Sequence, residues 1–423
     1  MDLTRIAQEV LDFVKAECVT LSQDLNELEQ VFQEQLRRIG SRSIELHLEK
    51  AKLGYEGSSR ACSCGRNQRF VGHRAKTVAT LLGSIGIRRA YYHCATCGAS
   101  SLPYDEAIGL GQGQTSVGLA KVATLLGVHE PFELASRMVF ELTGQRLSES
   151  TVERLTHQVG SVAAGEESSQ AARIERWDAP RPDVRPHRLY VAVDGVMVDH
   201  VDGWHEAKAV TCYWDAPSGR REARYAVRFE SAEAFSSYVW SLACRCGLGE
   251  AEEVVLLGDG AAWIWERVGG LLKDATHVVD WYHAVEHLWA CGREVYGEGH
   301  PETAKWVERM KGLLWDGDVR GLLKRLGRER DRTRSPTKRK AITGLMTYLK
   351  NQDDRLAYDR FRARELDIGS GRVEAACKHV VGMRLKRSGM RWSHDGSQAT
   401  LSLRVAWLNG WWDDVWAKHP LAA

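Results

Sequence analysis

Leu189-Tyr-Val-Ala-Val-Asp194-Gly195 and Val254-Val-Leu-Leu-Gly-Asp259-Gly260 share one design, a short unbroken apolar run ending on Asp-Gly. Runs of this length without alternation suit central strands covered on both faces. An Asp just past such a strand leaves the core at the sheet's carboxyl edge, where open α/β sheets place their ligands. Two such strands side by side hold two carboxylates a few ångströms apart, and these repel unless a cation lies between them. The pair points to a divalent-metal site. Taken singly, each Asp-Gly is also a common turn.

Working outward, strands are expected at 189–193, 206–214, 223–229, 254–257 and 276–279, with helices at 231–244 and 261–272. Three strands, a helix, a strand, a helix and a strand is the order of a ribonuclease-H-like core. From 282 to 364 the chain reads as helical, basic and rich in Trp and Leu. It then turns at Ile368-Gly-Ser-Gly371 and opens a helix that Ser370 can cap. Glu374, in the first turn beside the small residues Ala375, Ala376 and Cys377, is the candidate third ligand. A first-turn Glu also simply favours the helix dipole.

Upstream, 1–55 reads as a helical region, with apolar positions Leu3, Ile6, Val10, Leu11 and Val14 at spacings of three and four. In 56–110, Cys62-Ser-Cys64-Gly and Cys94-Ala-Thr-Cys97-Gly have the look of a zinc ribbon, with His73 and His93 as spare ligands. The first pair is C-x-C rather than C-x-x-C. Region 111–177 carries three helical patterns, one ending on Gly127, one after Pro131 and one opening at Ser148 or Ser150. They fit a helix-turn-helix with 150–159 as recognition helix, or a plain bundle. The Pro-rich stretch 178–186 reads as a linker, followed by core parts at 187–281 and 366–423 around the helical segment 282–365.

The chain has 423 residues, 43% hydrophobic and 27% charged, ordinary for a soluble protein of two or three domains. No apolar run approaches the roughly 20 residues of a membrane span, and no signal-peptide pattern opens the chain, so a cytoplasmic protein with reduced thiols is expected. Charge is unevenly spread. Residues 319–350 hold eleven Lys/Arg against Glu329 and Asp331, and 360–391 hold nine against Glu365, Asp367 and Glu374. Such a surface suits a polyanion, or is merely a solvated helical face.

Four motifs together resemble the DDE transposases of bacterial insertion sequences, most closely the ISKra type. They are Val193-Asp194-Gly195, Leu257-Gly-Asp259-Gly-Ala-Ala-Trp-Ile264, Asp280-Trp-Tyr-His283-Ala-Val-Glu286-His287-Leu-Trp289, and Gly369-Ser-Gly-Arg-Val-Glu374-Ala-Ala-Cys-Lys378. The last runs on through Arg384, Lys386 and Arg391-Trp392. The resemblance implies an α/β ribonuclease-H-like core with an all-helical insertion, plus an N-terminal helical and zinc-ribbon region that recognises terminal inverted repeats. It implies Asp194, Asp259 and Glu374 as a triad for two Mg²⁺ or Mn²⁺ ions, with structural Zn²⁺ at Cys62, Cys64, Cys94 and Cys97. Asp280, His283, His287, Lys378, Arg384 and Lys386 would support the active site. Double-stranded DNA, at transposon ends and target, and further copies of the chain in a synaptic complex would be the partners. Strand cleavage at the element's end and transfer of the freed 3′-hydroxyl to target DNA would be the chemistry.

Other readings stay open. His283-Ala-Val-Glu286-His287 matches the H-x-x-E-H pattern of inverted zinc metallopeptidases, with both imidazoles on one helical face. A ribonuclease-H-like nuclease would use the same acids without strand transfer, and a transposase-derived DNA-binding protein would bind without cutting. Trp281 and Trp392 are the tryptophans singled out for stacking on an unpaired base. Most of the other tryptophans read as core.

Overall fold

The computed structural model describes residues 8, 11–12, 24–49, 53–110, 113–369 and 371–418. Leu3, Ile6, Val10 and Val14 lie outside them, as does Ser370. The chain divides into two compact units, Met1–Val162 with Trp412–Ala423, and Ala163–Trp411.

In the first unit, helix α1 (Leu25–Glu49) packs on a four-stranded antiparallel sheet of β1 (Ser59–Ala61), β2 (Asn67–Thr80), β3 (Gly83–His93) and β4 (Ser100–Ser101), ordered as in the chain. Ile44 and Leu48 from α1 close over Val78, Ile85 and Ile87, inward positions of the long hairpin, and over Leu110 further along the chain. The short helix α2 (Pro103–Ala107) carries buried Asp105, held by Arg89 at 2.6 Å and Lys76 at 3.6 Å. Helices α3 (Val117–His129), α4 (Phe132–Thr143) and α5 (Glu149–Ala171) follow. Gly127, expected to cap α3, instead lies inside it, so close to Thr156 that a Cβ would meet Oγ1 at 2.4 Å. Ser148 caps α5 by accepting from the Thr151 N–H.

The second unit is built on five strands in the order β7-β6-β5-β8-β9. They are β5 (Arg188–His200), β6 (Gly203–Asp215), β7 (Arg221–Arg228), β8 (Glu253–Gly258) and β9 (Thr276–Val279). β5, β6 and β7 form an antiparallel meander, while β8 and β9 join parallel to β5. Leu189–Val193 and Val255–Leu257 are almost wholly buried, which the unbroken apolar runs required. Helix α6 (Ala232–Arg245) follows β7, capped by Ser231. The helix expected at 261–272 is less regular, a π turn at Ile264–Val268 running into Gly269–Leu271.

After β9 come α7 (Trp281–Tyr296), α8 (Pro301–Trp315), α9 (Val319–Arg332), α10 (Pro336–Gln352) and α11 (Tyr358–Ala363). Helix α12 (Gly371–Ala376) continues through a π turn, Cys377–Gly382, and returns the chain to β5 and β6. Helix α13 (His394–Leu408) lies against β7. Helix α14 (Trp412–Lys418) belongs to the first unit. No helix among the described residues is long and apolar enough to cross a membrane.

Candidate metal centres

The register of the parallel strands aligns Val193 with Gly258, and Gly258 with Val279. The next residue on each strand is an Asp, so Asp194, Asp259 and Asp280 stand in a row at one sheet edge. Their surroundings differ. Asp194 and Asp259 are half-buried, each with one oxygen turned to a nearby amide: Gly195 N–H donates to Asp194 at 2.7 Å, and Ala261 N–H to Asp259 at 2.9 Å. Asp280 is 2% exposed and caps α7, accepting from the His283 N–H at 2.6 Å.

Glu374 is exposed on α12, and α12 packs on β5 and β6. Burial holds the Asp194 carboxyl above its ordinary range, with the Gly195 amide opposing and the charges of Asp259 and then Glu374 adding to the rise. The Cys377 thiol lies against Asp194, and burial with the Asp194 and Glu374 charges pushes that thiol up as well. Asp194, Asp259 and Glu374 therefore act on one small region. A divalent cation is the species whose binding would turn their mutual repulsion into attraction.

Helix α10 reaches the same edge. Gln352 donates to the Gly260 carbonyl at 2.9 Å, and burial with the charges of Asp259 and Asp280 raises the Tyr348 phenol. Tyr348 stacks on His287, with ring centroids 3.9 Å apart. His287 Nε2 lies 3.2 Å from His283 Nε2, and burial together with His283 lowers its pKa. Glu286 is exposed, 3.7 Å from His283 Nδ1.

The remaining candidates separate. Lys378 and Lys386 are exposed, and the Lys386 charge reaches Cys377. Arg384 is fully buried, its guanidinium 4.7 Å from the Trp392 ring centroid and 3.8 Å from Met390 Sδ. Trp392 donates to the Leu385 carbonyl at 3.2 Å. Trp281 is packed edge-on between Trp315 and Tyr358, each centroid 5.0 Å away. Both singled-out tryptophans are thus interior side chains in this structure.

Sequence reading missed Glu206 and Lys208. A Cβ on Gly195 would come 2.3 Å from Glu206 Oε1, so any side chain there would push the Glu206 carboxylate aside. Lys208 is 9% exposed, 2.8 Å from Glu206 and 3.1 Å from the Glu230 carbonyl. The signal was a charged pair at one-face spacing entering an otherwise apolar strand.

In the first unit the two cysteine pairs meet. Cys62 Sγ lies 3.6 Å from Cys97 Sγ, Cys64 Sγ lies 3.8 Å from Cys94 Sγ, and all four sulfurs are within 4.8 Å of one another. Zn–S bonds of about 2.3 Å in a tetrahedron set sulfurs about 3.8 Å apart, so the donors fit that ion. Each pair sits in a turn closed by a glycine with positive φ, Gly65 at 79° and Gly98 at 75°, donating to the Cys62 and Cys94 carbonyls. The Cys97 and Thr96 amides bring the Cys94 thiol down to about 6, and the Cys64 amide lowers Cys62. His73 and His93 are not among these donors: His73 packs on Phe70 and His93 bonds Ser100.

Residues 20–418 match the sequence model of UPF0236, an uncharacterised protein family. Among the similar proteins is the UPF0236 protein TTE0402 of Caldanaerobacter subterraneus subsp. tengcongensis, 22% identical over 96% of this chain and 79% of the relative. A second from that organism, UPF0236 protein TTE0610/TTE0881/TTE1053/TTE2432, is 22% identical over 96% of this chain and 84% of its own length.

Proposed function

The chain belongs to UPF0236, an uncharacterised protein family, and from its site we propose that it is a DDE transposase, most like the ISKra type, that cuts and joins DNA at the ends of an insertion sequence. The observation that carries this reading is the convergence of Asp194 and Asp259, on adjacent parallel strands, with Glu374 on a helix that returns to the same strands. Strand order β7-β6-β5-β8-β9, antiparallel then parallel, supports a ribonuclease-H-like core interrupted by helices α7 to α11. The joined designations of the second relative we read as one sequence present in several copies, the trace a mobile element leaves.

Two Mg²⁺ or Mn²⁺ ions held there would neutralise charge on the phosphate and favour an oxygen nucleophile opposite the leaving oxygen. The protein's own part is alignment. Asp194 and Asp259 are fixed by strand register and by the amides that each accepts. Asp280 caps α7, whose His287 feels the Asp259 charge. Helix α9 buries Val319, Leu322 and Leu326 and turns its many Arg and Lys outward, a surface for the DNA backbone. The four cysteines would hold Zn²⁺ as a staple for the small sheet, within the part that recognises DNA ends.

The test is incubation of the full chain with Mg²⁺, labelled duplexes covering the DNA that flanks its gene, and a supercoiled plasmid target. Nicking at a defined position, followed by joining of that 3′ end to the plasmid, is the expected result. Cutting without joining would assign a nuclease. Binding without cutting in either Mg²⁺ or Mn²⁺ would assign a DNA-binding protein.

A further inference from the structure

At the β5–β6 hairpin, about 20 Å along the strand from Asp194 at some 3.3 Å per residue, lies a second cluster unrelated to the acids. His200 ends β5, Asp202 sits in the turn, and His205 is the third residue of β6. One donor atom from each lies within 4.8 Å of the other two.

His200 is the informative member. It is 0% exposed, and its Nδ1 is buried without a hydrogen-bond partner. Its Nε2 lies 3.1 Å from Ser397 Oγ, while Ser397 spends its one hydroxyl hydrogen on the His394 carbonyl at 2.8 Å. In the Nε2–H tautomer the contact with His200 runs from Nε2–H to the Ser397 oxygen. That tautomer leaves Nδ1 as a bare lone pair, buried with no donor facing it. An orphaned buried acceptor of this kind is destabilising unless something binds it. A protein imidazole whose other nitrogen is held by an outer hydrogen bond is the usual form of a metal ligand.

The neighbours supply the rest of a coordination shell. His205 Nε2 and Asp202 Oδ1 are 3.0 Å apart, with side chains 38% and 66% exposed, so the cluster opens to solvent on one side. Arg391, on the neighbouring strap, is turned to Asp199 at 3.7 Å. The His394 ring flanks the group, 6.0 and 6.4 Å from the two histidine centroids.

We propose that His200, Asp202 and His205 form a binding site for a first-row divalent transition ion of the Zn²⁺ class, with a fourth position open to solvent. Two imidazoles and one carboxylate favour such an ion over Mg²⁺, which prefers oxygen donors throughout. The ion has a mechanical consequence. Trp392 and Val201 exchange backbone bonds with this hairpin (Val201 N–H to Trp392 O at 2.9 Å, Trp392 N–H to Asp199 O at 3.2 Å), and Ser397 holds His200. Binding braces the hairpin against the strap that follows the Glu374 helix. The site stands whether or not the acids cut DNA.

The test uses the full chain, stripped with a chelator and titrated with Co²⁺ under visible and near-ultraviolet absorption. Sulfur-ligated cobalt at the cysteines gives a thiolate charge-transfer band, whereas a nitrogen–oxygen site gives d–d bands alone. The titration is run in an Asp194→Asn/Asp259→Asn parent, which cannot hold an ion at the acids, and this parent is expected to take up a further ion without thiolate character. His205→Ala and Asp202→Asn, both at solvent-facing ligands, should each weaken that uptake at least tenfold. Their thiolate band and circular dichroism stay unchanged, which reports intact folding. No thiolate-free uptake by the Asp194→Asn/Asp259→Asn parent, or its retention when His205→Ala or Asp202→Asn is added, overturns the site.

Discussion

The cysteine cluster of the first unit and the carboxylate row of the second are opposite solutions to gathering negative ligands. Four thiols meet within 4.8 Å on two glycine-closed turns, each turn local in sequence. The acids come from two strand ends and a helix more than a hundred residues later, and Glu374 stays exposed. On the proposed reading the first would be a soft, closed and complete ion site, and the second a hard, open and unsaturated one with room for water and a phosphate. The difference teaches what would tell a structural ion site from a reactive one: ligand type, closure and the reach of the chain segments that build it.

Breaking the closed site should have the larger structural effect. Replacing Cys94 and Cys97 by Ser removes two of four ligands, and structural zinc contributes about 10–16 kcal/mol in small zinc-dependent folds. The double variant is expected to lose bound zinc by elemental analysis and amide-exchange protection in β1 to β4, while β5 to β9 keep theirs. Unchanged metal content would remove the ion from the account.

The open site predicts a smaller effect of opposite sign. Asp194 has its carboxyl raised by burial and by its acidic neighbours. The unfolded chain therefore loses this proton first as pH rises. Between the unfolded and folded values the native state binds more protons, so stability falls with rising pH there, and the penalty persists at neutral pH. Asp194→Asn removes that charge. Without divalent ions at pH 7 it is expected to raise Tm by about 2–4 °C, the scale of shift for a modest gain in a domain of this size. It should also abolish the rise in Tm that Mg²⁺ gives wild type. A variant less stable than wild type, still responding to Mg²⁺, would contradict the shared field of the three acids.

The acids on the sheet were legible because a strand covered on both faces leaves an unbroken apolar signature, and the Asp ending it is conspicuous. The strands at 189–193 and 254–257 lie inside observed β5 and β8 for that reason. Asp280 stood out only through a longer motif; its place beside Asp194 and Asp259 rests on register, which no single strand encodes. Tyr348 and Gln352 come from a helix whose pattern speaks only of its own core face, so their reach to Asp259 and Gly260 was invisible. Trp281 and Trp392 show the limit from the other side. A tryptophan's type says nothing of whether neighbours already fill its faces, and here they do. The His200 cluster was overlooked because its three residues look like hairpin punctuation until burial and the Ser397 bond are known.

The central claim is that Asp194, Asp259 and Glu374 are one DNA-breaking centre. Its most direct test is single-turnover cleavage of the labelled end duplex in Mg²⁺, comparing wild type with Asp194→Asn, Asp259→Asn and Glu374→Gln. The account predicts defined cleavage by wild type and at least about a 10³-fold loss in each variant, as expected when charge-stabilising ligands are removed. Cleavage by Glu374→Gln at the wild-type rate would contradict it and move the third role to Asp280.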